Sequence, residues 1–259
     1  MQSQVETISL VQLIISYFML FVAFFVNYTE NLKLTKDIIY SFVRMSVQLL
    51  LIGYILKFIF QINNAFVILI YYAIMVLFAA NIVKERTKVK FAHANIIIFG
   101  AIFIAGFVVT LFMSFVSIGL KNPFEARYFI PLAGMIVGNS MNSTTIAIER
   151  FFSEIHQNKQ YIEELLSLGA TAREATIEFK QRAFRSSLMP QLASVSAMGI
   201  VSLPGMMTGQ ILSGVNPIEA VKYQMIILIA INTAICLSVY ILLSFEQKKF
   251  FNSFTQLNI

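Results

Sequence analysis

The sequence predicts an all-α membrane protein of seven transmembrane helices, with the N-terminus outside, the C-terminus inside and a cytoplasmic helix-turn-helix between helices five and six. Three observations carry this. The 259 residues are 58% hydrophobic and only 12% charged, about half the charge of an ordinary soluble domain. The apolar residues gather into seven runs long enough to cross a bilayer. The basic residues between those runs alternate in density from one side to the other.

The runs are 8–26, 38–56, 65–83, 94–118, 128–148, 188–212 and 225–245. At about 1.5 Å of rise per residue, even the shortest covers a hydrocarbon core of roughly 30 Å. Helix is the state that leaves no backbone group unpaired in lipid. Tyr28, Tyr40, Tyr128 and Tyr223 fall at run ends, where amphipathic rings meet the headgroups. The N-terminus MQSQVETISL lacks a basic n-region and a small-residue cleavage site, so the first run reads as a retained span. The one cysteine, Cys236, lies inside an apolar run and has no partner for an internal disulfide.

With the N-terminus outside, the inside segments hold fourteen basic residues: Lys33, Lys36, Lys84, Arg86, Lys88, Lys90, Arg150, Lys159, Arg173, Lys180, Arg182, Arg185, Lys248 and Lys249. The outside segments hold four: Lys57, Lys121, Arg127 and Lys222. This is the positive-inside bias. It reads the net charge of +6 as topology rather than as a nucleic-acid surface. The chain is expected to be one permease-like domain over 1–259, with a polar hairpin at 149–187 inside it.

That hairpin is the one long charged stretch. Phe151, Phe152, Ile155, Ile162, Leu165 and Leu166 recur at helical spacing, which predicts one amphipathic helix. Gly169 interrupts it. Thr171-Ala-Arg-Glu174 is a capping-box pattern opening a second helix, with Ala172, Ala175, Phe179 and Ala183 on one face. The mixed charge, with Glu154, Glu163, Glu164, Glu174 and Glu178, disfavours a hairpin lying on anionic lipid and favours a protein partner.

The flanking spans are richer in small and polar residues than the first four. In the fifth, Gly134, Gly138, Asn142, Thr145 and Glu149 share a helical stripe, and Gly134-x-x-x-Gly138 is a close-approach spacing. Asn139 adds a further amide. In the sixth, Pro204 is expected to kink the helix mid-span, next to Gly205 and Gln210. Two readings stand together: tight helix packing, within the bundle or between two copies, and the lining of a substrate pathway. Arg44 is the one charge in the seven runs, about two turns in from the cytoplasmic end. It can snorkel or meet a partner such as Glu149, and Gln48 follows one turn later on its face. The methionines of the centre read as gap fillers, although thioethers also suit Cu(I).

Gly-Lys, the core of a phosphate-binding loop, does not occur. There is no His-Glu-x-x-His and no paired Cys. His93 and His156 both fall in expected cytoplasmic segments. No catalytic set can be assembled, and no metal ligands can be picked out.

Four stretches resemble a family of bacterial ABC-transporter permeases described as iron exporters, with plant relatives associated with aluminium tolerance. They are Arg44-x-x-x-Gln48-Leu49 with Gly53, PLAGMIVGNSMN at 131–142, IEELLSLGATAREA at 162–175, and MPQL followed by SAMGIVSLPGMMTGQILSG at 189–214. The resemblance covers nearly the whole chain. The hairpin is also loosely similar to the coupling segment of ABC importer permeases. Glu163 and Gly169 keep that spacing, whereas the Glu163-Glu164-Leu165 triplet and the late Pro190 depart from it.

The resemblance implies a non-enzymatic permease subunit in a bacterial cytoplasmic membrane. Two copies would pair with two separate ATPase subunits, which carry the ATP and Mg; no cofactor is implied on this chain. Glu163, Glu164, Gly169, Ala170, Arg173 and Glu174 would couple to the ATPase. Arg44, Gln48, Asn139, Asn142, Thr145 and Gln210 would line the pathway, and Gly134, Gly138, Pro204 and Gly205 would serve as hinge or packing positions. Iron is the implied substrate. The thin set of amide and hydroxyl ligands at depth fits a chelate or a polar solute such as a nucleotide sugar no worse. A membrane enzyme or assembly factor without transport is the reading from another class.

Overall fold

The computed structural model describes residues 8–87 and 94–246, and every element among them except a single isolated bridge is helical. In chain order the α-helices are α1 (Leu10–Tyr17), α2 (Leu20–Thr29), α3 (Thr35–Ile62), α4 (Ala65–Thr87), α5 (Ala94–Phe112), α6 (Ala126–Gln157), α7 (Lys159–Ser167), α8 (Ala172–Ala197), α9 (Gly205–Leu212) and α10 (Pro217–Glu246). Helix α5 runs on into a π-helical turn, Met113–Ser117.

Among the described residues five stretches are long and apolar enough to cross a membrane: Leu10–Thr29, Thr35–Ile62, Ala65–Thr87, Ala94–Ser117 and Pro217–Phe245. They match the expected first, second, third, fourth and seventh spans. The expected fifth lies within α6, whose Asn, Ser and Thr residues dilute its hydropathy. The expected sixth is not a single helix. Helix α8 stops at Ala197, and α9 begins only at Gly205. A mid-span kink at Pro204 is therefore replaced by a full break, with Pro204 in extended geometry as the N-cap of α9. Proline lacks the N–H that a continuing helix would need there.

The packed body consists of α4, α5, α6, α8 and α10. Lipid offers no hydrophobic gain for helix association, so close contact between small residues has to supply it. The buried Ala79, Ala80, Ala101, Ala105, Ala126 and Ala133 serve this end. Tyr72 centres one half of the core. Its hydroxyl donates to the Phe103 carbonyl at 2.9 Å, and its ring lies 5.0 Å from that of Phe103 and 5.9 Å from that of Phe129. A Cβ at Gly106 would stand 2.6 Å from the Tyr72 hydroxyl, so any larger residue at this crossing would force the Tyr72 side chain to shift. The other half joins α5, α6 and α10 to the hairpin through Ile136, Phe151, Ile155, Ile162, Phe179 and Ile235.

Helices α1–α3 form an arm outside this body. Ser9 and Gln12 cap α1 reciprocally, and the Tyr17 hydroxyl bonds Ser46 of α3. Asn27 pins the α2–α3 corner, donating to Thr35 Oγ1 at 2.6 Å and accepting from the Leu34 N–H at 2.9 Å. At the far end, Asn63 turns left-handed, at φ 42°, and its side chain accepts the Ala126 N–H at 3.0 Å. That bond satisfies one of the free N–H groups at the start of α6. Along the arm, only Asn27 and Ile59 are buried.

Candidate coupling hairpin and membrane pathway

Helix α6 does not end with the apolar run. It continues to Gln157 and carries Phe151 and Ile155 with it, so the first hairpin helix expected from periodicity is divided. The division falls at Asn158, whose backbone N–H and side-chain amide both donate to the Glu154 carbonyl, at 3.1 and 2.8 Å. The short α7 follows and buries Ile162 completely.

The turn after α7 is a Schellman motif. The Gly169 N–H donates to the Leu166 carbonyl at 3.1 Å, and the Ala170 N–H donates to the Leu165 carbonyl at 3.0 Å. Gly169 sits at φ +94°, a conformation that L side chains adopt at a cost. One residue on, the expected capping box is present. The Glu174 carboxylate accepts from the Thr171 N–H at 2.8 Å and from its hydroxyl at 2.7 Å, and Thr171 Oγ1 accepts the Glu174 N–H at 3.3 Å. These bonds, the backbone one foremost, hold the Glu174 carboxyl below its usual range.

Two consecutive caps therefore fix a rigid, solvent-facing apex. Glu163, Glu164, Gly169, Arg173 and Glu174 are exposed there, and Ala170 is half-buried. Leu168, which no sequence pattern above singles out, is the apolar tip of the apex, 83% exposed. A leucine just before a helix-ending glycine is the signal that could have found it. Helix α8 is tied to α10 by Lys180, whose ammonium donates to Ser244 Oγ at 3.0 Å and lies 5.5 Å from the Tyr240 ring centre. Burial, and then Arg173, lower the Lys180 pKa.

The residues expected along the pathway are dispersed within one protomer. On α6, the Asn139 amide donates to the Met135 carbonyl at 2.8 Å, and buried Thr145 donates to the Met141 carbonyl at 2.9 Å. Asn142 on the same helix is exposed. An added Cβ at Gly134, Gly138 or Gly205 would meet nothing within 4 Å, so this small-residue stripe is open. Gln210 is half-buried, and its side-chain oxygen has no partner. The Ser140 and Thr144 hydroxyls are buried and likewise unpartnered within the protomer. Arg44 and Gln48 are exposed on the arm. Among the described residues no ion pair joins Arg44 to Glu149.

The break between α8 and α9 is the most unusual backbone feature among the described residues. Gly199 takes φ +87°, its N–H donates to the Ser202 carbonyl at 2.9 Å, and Met198 and Ser202 form an isolated bridge. Ile200 and Val201 project outward, 93% and 80% exposed. Among the described residues no three His, Cys, Asp or Glu side chains come together as a cation site.

Comparison with known proteins bears on this arrangement. Residues 10–251 match the uncharacterised protein family UPF0014. The chain is 36% identical over 208 residues to "Protein ALUMINUM SENSITIVE 3" of Arabidopsis thaliana, covering 80% of this chain and 74% of that one. It is 35% identical over 236 residues to the "Probable iron export permease protein FetB" of Escherichia coli K12, covering 91% and 90%. It is 35% identical over 222 residues to the "UPF0014 membrane protein YjkA" of Bacillus subtilis, covering 85% and 87%. No solved structure gives a significant match. The chain belongs to the UPF0014 family of membrane proteins.

Proposed function

We propose that this member of UPF0014 is the permease subunit of an ABC transporter that exports iron, driven by a separate ATPase subunit. The observation that carries the reading is the doubly capped apex at 163–174, set on a chain that matches a relative named as an iron export permease over nine-tenths of both lengths. In this reading the protein crosses a bacterial cytoplasmic membrane seven times, with its N-terminus outside. The charge asymmetry of the loops supports that orientation. Helix α6 and the α8–α9 pair supply the fifth and sixth crossings. The apex then lies in the cytoplasm, where Leu168 seats in an apolar pocket of the ATPase and Glu163 and Glu164 meet basic residues around it. ATP and Mg belong to that partner, and this chain performs no chemistry on them.

Two copies complete the membrane part. The open stripe of α6 and the unwound 198–204 segment form the pathway between them. Half-helix ends and unwound carbonyls suit a polar or cationic passenger at membrane depth. A second reading, export of an iron chelate or a non-metal polar solute, is favoured by one observation: no acidic or imidazole cluster lies among the described residues.

Gly169 tests the coupling assignment. Space is open around it, so its backbone angle alone restricts substitution. Gly169→Val is expected to insert normally yet to abolish ATPase-driven transport in proteoliposomes. Gly169→Asn, which tolerates left-handed geometry, is expected to retain transport. Full transport by Gly169→Val would remove the coupling role. ATPase stimulation by a non-metal solute, with none by Fe(II), would select the second reading.

A further inference from the structure

Glu154 is a buried carboxylate, with its side chain only 6% exposed, and the coupling apex makes no use of it. A carboxylate at this depth is tolerated only when paired and hydrogen-bonded. Its partners come from two elements. Arg150, one turn earlier on α6, lies 2.6 Å from one carboxylate oxygen. Arg182 of α8 lies 3.3 Å from the other. Arg182 also pairs with Glu178 on its own helix and rests 5.9 Å from the centre of the Phe179 ring. Glu178, more than Glu154, raises the Arg182 pKa, so the guanidinium stays charged and shared between the two acids.

The position of Glu154 gives this pair its meaning. Its carbonyl takes both donors of Asn158, the non-helical residue at which α6 stops and α7 begins. Its carboxylate reaches across to α8. One residue thus holds the joint below α7 with its backbone and the descending helix of the hairpin with its side chain. Around it the contact between the hairpin helices is mostly apolar, through Phe151, Ile155, Ala175, Phe179 and Ala183. Such a contact resists separation but has little to fix how far one helix slides along the other. An ion pair there, with its carboxylate buried and its guanidinium half exposed, is a directional contact that holds the two helices at one register.

We infer that Glu154 is a positioning residue for energy coupling: through Arg182 it locks α6 and α8 into one unit, so that a push on the Gly169 turn reaches the membrane instead of flexing the hairpin at Asn158. This rests on the proposed ABC permease function. Without the clasp, the hairpin still docks and the ATPase still turns over, but motion at the apex dissipates at the joint. The signature is therefore loss of transport per ATP, not loss of assembly.

The test uses the full chain co-reconstituted with its ATPase subunit in proteoliposomes, with Fe(II) as the probe. Glu154→Gln and Arg182→Gln are each expected to lower Fe(II) flux per ATP hydrolysed about tenfold, with ATPase activity within twofold of wild type. The double variant is expected to match either single one, because both break the same link. Glu154→Asp keeps the charge on a shorter arm and is expected to fall between; it carries the test if Glu154→Gln fails to fold. Normal flux per ATP in both single variants, or a double variant whose loss is the product of the two, overturns the inference. Hydrogen exchange on the full chain alone gives an independent reading. Residues 159–176 are expected to exchange several-fold faster in Glu154→Gln, with α4 and α5 unchanged, and unchanged exchange at 159–176 also overturns it. Wild-type protein that shows no ATP-driven flux would instead remove the proposed function, and the coupling role with it, while exchange still reads whether the clasp exists.

Discussion

Thr171 and Glu174 show how much of the apex rests on two side chains. Between them they satisfy the Thr171 and Glu174 N–H groups at the start of α8. Replacing Thr171 with Ala removes one acceptor and is expected to cost about 1 kcal/mol of local helix stability. That would speed amide exchange over 172–176 roughly fivefold. The pH dependence follows from the sign of the Glu174 shift. Its folded pKa lies below the ordinary 4.5, so its contribution is complete above that value and fades as pH falls through the lower folded pKa. Amide exchange in the first turn of α8, corrected for intrinsic rates, is therefore expected to be flat from pH 7 to 5 and to rise below it. Flat protection down to pH 3 would show that the box is not formed. Gly106 sets the opposite kind of constraint. Its Cβ would meet the Tyr72 hydroxyl, already committed to the Phe103 carbonyl, and overpacking of this sort costs about 1–3 kcal/mol. Gly106→Ala is expected to lower the thermal midpoint in detergent clearly, whereas Gly134→Ala, which meets nothing in the protomer, leaves a monomer's midpoint unchanged.

At the scale of elements, the break between α8 and α9 carries the largest consequence. In the proposed topology this unwound backbone lies at membrane depth and has to face protein or water, because lipid cannot satisfy its N–H and C=O groups. Cysteines placed at Ile200 and Val201 are therefore expected to react with a charged, membrane-impermeant maleimide in a Cys236→Ser background. One at Ile104, exposed on the regular helix α5, is expected to remain unlabelled, since a thiol in hydrocarbon does not ionise. Equal labelling of all three would mean that the break does not face the pathway. This break is not legible in the sequence. Hydropathy over a span averages across an unwound stretch that is itself mostly apolar, so Pro204 reads as a kink and Gly199 goes unmarked. The hairpin is far more legible, because the signals at Gly169 and Thr171–Glu174 are local: a positive-φ position and a three-residue capping spacing. The division of its first helix at Asn158 escapes, since apolar periodicity runs through it from Phe151 to Leu166. Glu154 is visible only as one acid among several. Its partner Arg182 lies 28 residues away, and no local pattern reports a contact at that separation. The residues expected along the pathway stand out by polarity alone, and polarity does not say which groups are answered within their own helix, as Asn139 and Thr145 are.

For the whole molecule, the question is what covers the open side of α6. Gly134, Gly138 and Asn142 form a stripe with nothing of the protomer against the glycines. Asn142 on that stripe is exposed. Small residues let two helix backbones approach closely, and interhelical hydrogen bonds contribute roughly 0.6 kcal/mol each in a membrane. In the proposed dimer a second copy covers the glycines, and the exposed Asn142 supplies the interhelical bond. Around a two-fold axis, a residue near the axis meets its own counterpart. Asn142→Cys, in the Cys236→Ser background, is expected to form a disulfide-linked dimer under mild oxidation in native membranes, with Ile104→Cys staying monomeric. Gly138→Leu should then weaken that crosslink by tenfold or more while leaving the protein inserted, since a Cβ there meets nothing in the protomer and the leucine's bulk would stand in the proposed contact. Efficient crosslinking when Gly138→Leu is added, or none at Asn142→Cys, would move the interface off α6. The arm of α1–α3 would then be the surface to examine next, because its Arg44 and Gln48 are the other polar groups that a lipid-facing helix leaves unanswered.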